Sequence, residues 1–354
     1  MKILFSGGGT LGPVTPLLAL YEHIKDRPGV TAVWVGTEHG PEEILVQKAG
    51  IPFVSLPASK LRRYFSFQTV RDAFVFVQAL FYAFFLLRRV RPNVCISAGG
   101  YVSVPLHFAA RILGIPTWIH QQDVELGLAN RLMAPAATLI TVALPQSLAF
   151  FPKEKTQMLG NPVRPSMLSG DKGAAIQRFG LDPNLPVIFA TGGGTGSEKI
   201  NILITQVALE LEDQCQIIHL TGKERKIVEP DRPLQHYHTY EFLDEAMADA
   251  YAASDIVICR GGFGTLSELS ALKKAAIVIP KSGHQEENVR LCADLGGIVS
   301  VHEQSITPLE LSDKIRGLLE NTAVRIHLGE TLATCIPTAT TDAILDCFKS
   351  LDVI

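Results

Sequence analysis

A chain of 354 residues is long enough for two domains of ordinary size, and with 47% hydrophobic residues it has material for two cores, so a disordered chain is excluded. The formal charge of −3 gives no net basic field, which removes electrostatic support for a nucleic-acid partner. Six cysteines, at 95, 215, 259, 292, 335 and 347, lie far apart, follow no CxxC spacing and mostly sit in apolar runs, the pattern of a reduced, cytosolic chain without a structural metal.

From the N-terminus, Met1-Lys2 leads straight into the apolar run Ile3 to Ser6, which is read as a strand with no signal peptide before it. After a glycine loop, strand and helix patterns alternate: a helix through Leu17 to Ile24, a strand from Thr31 to Val35, a helix through Glu42 to Ala49 and a strand from Phe53 to Leu56. One segment breaks the alternation. Ala73 to Leu87 is fifteen residues without a charge, five of them Phe, with Arg62, Arg63 and Arg71 before it and Arg88, Arg89 and Arg91 after it. As a helix it spans about 22 Å against a hydrocarbon core of about 30 Å, too short to cross a bilayer unaided. Two readings remain: a buried packing helix, or an interfacial element whose rings enter a membrane while the arginines meet anionic head groups.

The alternation resumes with a strand from Val94 to Ser97, a helix from about Val104 to Leu113, and strands from Thr117 to His120 and Thr138 to Val142. Gly160-Asn161-Pro162-Val163-Arg164-Pro165 reads as a linker. A second series then begins with a strand from Val187 to Thr191, the glycines 192, 193, 194 and 196, and a helix through Leu203 to Leu211. Strands follow at Gln216 to Leu220, His236 to Tyr240, Ile256 to Cys259, Ala276 to Ile279 and Ile298 to Val301. Such alternation predicts two parallel sheets with helices on both faces, and ligands outside the carboxyl ends of their strands.

Within the second series, Asp255 to Glu268 carries the strongest signal: an apolar strand, glycines at 261, 262 and 264, and a helical pattern from Thr265. A helix opening just past a strand end directs unpaired N–H groups and partial positive charge at the crevice, which suits phosphate or pyrophosphate. Thr265 and Glu268 also stand at capping-box spacing, so Glu268 has a local reading as the partner of the Thr265 amide. Downstream, Pro280 closes another strand and is followed by Gly283, His284, Gln285, Glu286, Glu287 and Asn288, a second strand end rich in polar groups. The first loop, Gly7 to Gly12, satisfies G-x-G-x-x-G, yet the second strand ends Val35-Gly36-Thr37 and the first acid, Glu38, comes later than a dinucleotide fingerprint requires. A nicotinamide-dependent oxidoreductase is therefore a distant reading, and no cofactor is expected.

Taken together, Gly8-Gly9-Thr10, Gly99-Gly100-Tyr101-Val102-Ser103, His120-Gln121-Gln122-Asp123, Gly160-Asn161-Pro162-Val163-Arg164, Glu241-Phe242-Leu243-Asp244, Cys259-Arg260 through Thr265, Ser267-Glu268, and Gln285 with Asn288 follow the order and spacing of a known family. The chain resembles the MurG family of N-acetylglucosaminyltransferases, which make lipid II in peptidoglycan synthesis, over roughly residues 1 to 325. The resemblance implies an α/β fold of the GT-B kind, two Rossmann-like doubly wound domains facing across a cleft. Residues 1–163 would be the acceptor and membrane-side domain, 164–325 the UDP-sugar domain, and 326–354 a helical tail packing back on the first. It implies UDP-N-acetylglucosamine, a polyprenyl-linked lipid acceptor and an anionic membrane surface as partners, at the cytoplasmic face of the plasma membrane.

Residue by residue, the resemblance assigns the donor to Thr10, Leu11, Gly12, Asp123, Arg164, Gly194, Leu243, Phe263, Gly264, Thr265, Leu266, Ser267, Glu268 and Gln285, without a metal. Glu268 would take the ribose hydroxyls, Leu243 would meet uracil, Gln285 the sugar and Arg164 a phosphate. Where the family often has serine this chain has Gly194, with Thr195 as the nearest hydroxyl. The family's GGTGGH reads Gly8-Gly9-Thr10-Leu11-Gly12-Pro13 here, and its HEQN reads HQQD, with Gln121 for the usual Glu and Asp123 for the usual Asn. Pro13 cannot carry a proton, so Asp123 becomes the candidate general base, against its plainer reading as a solvated loop carboxylate. A transferase of altered donor or acceptor, or a sugar-nucleotide-binding scaffold without catalysis, are the competing functions.

Overall fold

Short β-rich runs cut by glycine and proline give the chain its strands, and the polar-apolar stretches between them give its helices. The computed structural model describes residues 1–57, 67–194, 196–223, 225, 230 and 232–353, with the backbone alone at 67–74 and 284. In chain order the elements are β1 (Lys2–Ser6), α1 (Thr15–Glu22), β2 (Thr31–Gly36), α2 (Glu42–Lys48), β3 (Phe53–Ser55), α3 (Phe67–Val90), β4 (Val94–Ser97), α4 (Ser103–Ile112), β5 (Thr117–Gln121), α5 (Leu128–Met133), β6 (Leu139–Val142) and β7 (Thr156–Met158). There follow α6 (Lys172–Phe179), β8 (Val187–Thr191), α7 (Glu198–Leu211), β9 (Gln216–Leu220), β10 (Tyr237–Tyr240), α8 (Ala246–Ala253), β11 (Ile256–Cys259), α9 (Phe263–Ala271), β12 (Ala276–Val278), α10 (His284–Asp294), β13 (Val299–Ser300), α11 (Pro308–Glu320), α12 (Thr322–Cys335) and α13 (Thr341–Ser350).

The chain divides into two units, Met1–Arg164 with Thr338–Ile354, and Pro165–Pro337. In the first, seven parallel strands run in the order β3-β2-β1-β4-β5-β6-β7. Successive residues of β1 face opposite sides: Ile3 and Phe5 meet α1 and α13, whereas Leu4 joins Cys95, α3 and α4. Both faces are thus covered, as a parallel sheet requires. Residues 326–354, read as one tail in the sequence, divide instead: α12 packs in the second unit, and α13 enters the first unit's core, where Phe348 meets Trp118 edge to face at 5.3 Å.

The second unit repeats the plan with six strands in the order β10-β9-β8-β11-β12-β13. Ile188, Ala190, Ile256, Ile258 and Ile277 pack under α7 and α11. In each unit the strand order reverses between two central strands, β1 and β4 in the first and β8 and β11 in the second, and the loops leaving those strands are the glycine-rich ones.

Helix α3 gives the Phe-rich run a buried side and an exposed side. Ala79, Ala83 and Leu87, spaced by four, are fully buried against Leu106 and Ala110 of α4, so one narrow face is core. On the outside Phe81 is 63% and Phe85 67% exposed, with exposed Val77 and Tyr82 beside them. Arg88 lies over the Phe84 ring at 5.5 Å, and the helix ends where Arg91 turns left-handed and Lys2 caps the Val90 carbonyl at 3.0 Å. Arg62 and Arg63 lie outside the described residues, as do the side chains of Arg71 and Phe74. Among the described residues, no helix is long and apolar enough to cross a membrane.

Candidate active site

In the second unit, β8 delivers Gly192 to Gly194 and then Gly196, which takes φ +67° and would drive a Cβ to 2.7 Å from the Thr221 carbonyl; only glycine fits there. Thr195 is outside the described residues. Ser197 closes the loop as the N-cap of α7, accepting from the Ile200 amide at 3.3 Å. From the end of β11, Arg260 donates to the Ser197 hydroxyl at 2.5 Å, to the Ile279 carbonyl beyond β12 at 3.1 Å, and to the Glu303 carboxylate at 2.5 Å. One guanidinium therefore ties together three strand-end loops, a role its planar fork of donors suits.

Helix α9 starts at Phe263, two residues before the expected Thr265, with Gly262 at its N-cap and no side-chain cap. Thr265 then falls inside the first turn, and the Thr265–Glu268 capping box read from the sequence does not form. Glu268 is half-buried and accepts from the Tyr251 hydroxyl at 3.1 Å. An uncapped, glycine-opened helix start at the sheet's reversal point is an electropositive seat for an anion, with Gly264 and Thr265 in its first turn. The same turn also builds core: Leu266 and Ser267 are wholly buried, and the Ser267 hydroxyl donates to the Phe263 carbonyl at 2.7 Å. Along the same carboxyl edge of the sheet, Gln285 at the head of α10 accepts from the Lys281 amide at 3.0 Å, exposed Gly194 follows β8, and buried Leu243 follows β10 beside exposed Phe242. All of these residues follow the carboxyl ends of β8, β10, β11 or β12.

The first unit gathers Thr10, Leu11, Gly12 and Asp123. Thr10 and Gly12 are exposed and Leu11 half-buried, and the Gln122 side chain donates to the Gly12 carbonyl at 2.8 Å, tying the loop after β5 to the loop after β1. Gln121 is buried, and its amide donates at 2.8 Å to the carbonyls of both Asp123 and Glu125 while accepting from Asn130 at 2.8 Å. A carboxylate at 121 has no N–H to give those carbonyls, so the Gln is matched to the loop it braces. Asp123 itself is half-buried. His120 is not a site group: it is buried between the Thr141 hydroxyl at 2.9 Å and the Asn161 side chain at 3.1 Å, and burial lowers its pKa to about 4 against the opposing pull of Asn161. That pair joins the 120–123 and 160–164 motifs inside the core; Arg164, half-buried, ends the second of them. Sequence reasoning missed Tyr251 and the bridging role of Arg260, because their partners lie 17 to 63 residues away. Among the described residues, no group of three or more His, Cys, Asp or Glu is placed to hold a metal.

The glycosyltransferase family 28 N-terminal domain matches residues 3–142, and the family 28 C-terminal domain matches residues 187–329. A UDP-N-acetylglucosamine--N-acetylmuramyl-(pentapeptide) pyrophosphoryl-undecaprenol N-acetylglucosamine transferase of Clostridium kluyveri is 35% identical over 96% of this chain and 96% of its own length. A second transferase of that name from Bacillus cereus is 32% identical over 95% of this chain and 98% of its own. Among solved structures, Acinetobacter baumannii MurG superposes with a TM-score of 0.75 at 24% identity, over 98% of this chain and 99% of that one. A Neisseria meningitidis UDP-GlcNAc 2-epimerase bound to UDP-GlcNAc gives 0.70 at 15% identity, over 99% of each chain, so the two-sheet fold itself serves more than one chemistry.

Proposed function

The chain belongs to the MurG family of N-acetylglucosaminyltransferases, with the GT-B fold, and from that premise we propose that it moves N-acetylglucosamine from UDP-N-acetylglucosamine to a polyprenyl-diphosphate-linked muramyl acceptor, with inversion, in peptidoglycan synthesis. The observation that carries the proposal is the uncapped start of α9 beside Glu268, an anion seat next to a carboxylate already oriented by Tyr251. The leaving diphosphate needs its charge held, and the α9 amides supply that; Glu268 takes the ribose, Leu243 the uracil and Gln285 the sugar, while Arg164, in the first unit, is assigned a phosphate by the family resemblance. The acceptor hydroxyl needs a base, and Asp123 is the residue to supply it. Purified protein given labelled UDP-N-acetylglucosamine should transfer label to a lipid I analogue and release little without it. Tight UDP-sugar binding with no transfer would point to a scaffold, and no affinity for any UDP-sugar would remove the proposal.

Two further outcomes are expected. Glu268→Ala should weaken UDP binding by about 1 to 3 kcal/mol through loss of charge-assisted hydrogen bonds to ribose. Calorimetric titration alongside melting curves decides it: a lower melting temperature with unchanged UDP affinity would leave Glu268 a packing partner of Tyr251. The second concerns location, a peripheral enzyme on the cytoplasmic face of the plasma membrane, feeding wall growth and hence cell shape and division. The exposed Phe81 and Phe85 rings and the exposed Arg88, Arg89 and Arg91 at the end of α3 support it. Vesicles containing anionic lipid should bind the protein, more weakly as salt rises because each Arg is worth about 1 kcal/mol and is screened. Phe81→Asp with Phe85→Asp should cut binding about tenfold or more with the fold intact. Unchanged sedimentation of that variant with vesicles would end the membrane reading of α3.

A further inference from the structure

A buried carboxylate lies beneath the first glycine loop, and neither the motifs nor the proposed chemistry uses it. Glu42, in the first turn of α2, is fully buried. One oxygen accepts from the Thr37 amide at 2.7 Å and the Thr37 hydroxyl at 2.6 Å, and the other accepts from the Gly9 amide at 3.2 Å. Three glycines clear the space it occupies: a Cβ would lie 2.0 Å from a carboxylate oxygen at Gly8, 2.1 Å at Gly40 and 3.0 Å at Gly36. Four chain segments, the first loop, the end of β2, the turn before α2 and α2 itself, thus meet at one anionic group. From above, the Tyr101 ring closes on Gly9, whose Cβ position is 2.8 Å from it, and Gly100 approaches Gly8 so closely that a Cβ would sit 3.1 Å from Gly8 backbone atoms.

We infer that Glu42 is a positioning residue that takes, with its own carboxylate, the place a nucleotide phosphate takes in a dinucleotide-binding loop. The Gly9 N–H, the group such a loop offers to an anion, is already committed, so this loop is closed to cofactor phosphate and held in one conformation. What it then presents is its far half, the exposed Thr10 and Gly12 with the Gln122 tie at Gly12. The inference deepens the proposed reaction and rests on that reading for its kinetic part only: Glu42 orders the surface against which the acceptor is aligned, and does not itself touch substrate.

The test uses the whole protein carrying Glu42→Gln, which keeps the shape but turns an N–H donor toward one of the three donors, and Thr37→Val, which removes one of the three bonds. Amide hydrogen exchange across residues 7–13 should speed up at least tenfold in Glu42→Gln and less in Thr37→Val, while segments of the second unit stay at wild-type rates. With UDP-sugar and lipid acceptor, kcat should fall about tenfold and acceptor KM rise. Unchanged exchange across 7–13, or a lower melting temperature with wild-type kcat and acceptor KM, overturns the inference. Should the wild-type protein transfer nothing, the functional proposal fails alone, because the exchange experiment still decides whether Glu42 holds the loop.

Discussion

Replacing Asp123 with asparagine is expected to lower turnover about a hundredfold, the usual worth of a general base, while leaving UDP-sugar affinity almost unchanged. The family's proton-carrying histidine is absent at Pro13, and the carboxylate usual at 121 is the amide of Gln121, committed to bracing the Asp123 and Glu125 carbonyls. On the proposed reaction a general base would then have to come from another residue. Asp123 stands one residue beyond Gln122, whose side chain grips Gly12, so its carboxylate is carried by a loop fixed to the first glycine loop. Asparagine preserves its size and removes its basicity. Restoring histidine at position 13 in the Asp123→Asn background should recover part of the rate. Wild-type turnover in Asp123→Asn, measured beside its melting temperature, would return Asp123 to the status of a loop carboxylate.

Acid should destabilise the protein well above the range where carboxylates protonate. Burial pushes His107 and His219 down to about 3 and His120 to about 4, from a usual value near 6.5. Above pH 6.5 all three are neutral folded or unfolded, and their full contribution is present. As pH falls below 6.5 the unfolded chain takes up protons that the folded chain refuses, so stability is lost progressively toward pH 4 and below. At pH 5 each histidine accounts for about 2 kcal/mol, large against a total stability of about 5 to 15 kcal/mol. His107 isolates the effect, because it is fully buried on α4 and neither ring nitrogen has a hydrogen-bond partner among the described residues. Denaturant titrations at pH 7, 6 and 5 should show a slope of stability against pH that His107→Met lowers by about 1.4 kcal/mol per pH unit. An identical slope in that variant would assign the acid limb to other groups.

Much of the fold was legible because its punctuation is local. Glycine loops end the strands, and two series of alternating elements imply two parallel sheets, which the strand orders bear out. Less legible was whatever depends on closure over distance. The first acid after β2 in sequence is Glu38, whereas the acid that reaches the first loop is Glu42, which enters α2 before its carboxylate accepts from Gly9, 33 residues away in sequence. Thr265 looked like an N-cap because its hydroxyl is a recognisable signal; the actual cap, Gly262, has no side chain to signal with. Strand β7 passed unread because Thr156–Met158 is three residues long and largely exposed. The Phe-rich run could not be resolved between core and surface by composition, since only the four-residue spacing of Ala79, Ala83 and Leu87 shows which side is inside.

The return of the chain to its first unit has a consequence for how the protein is made. Strands β1 to β7 are synthesised by Arg164, but the helix that covers Trp118 arrives only after Thr338, with the entire second unit translated between them. At about 5 to 20 residues per second that interval lasts roughly ten to thirty seconds, during which the part of that face that α13 covers, beside α1, stays open. The unit that emerges first on the ribosome is therefore the last to be finished. The second unit, continuous in sequence, can be complete while its neighbour still shows a tryptophan-bearing apolar surface to solvent. A nascent chain of this design is expected to engage holding chaperones through its N-terminal half, and to be most vulnerable to proteolysis and aggregation while its C-terminal half is still being translated.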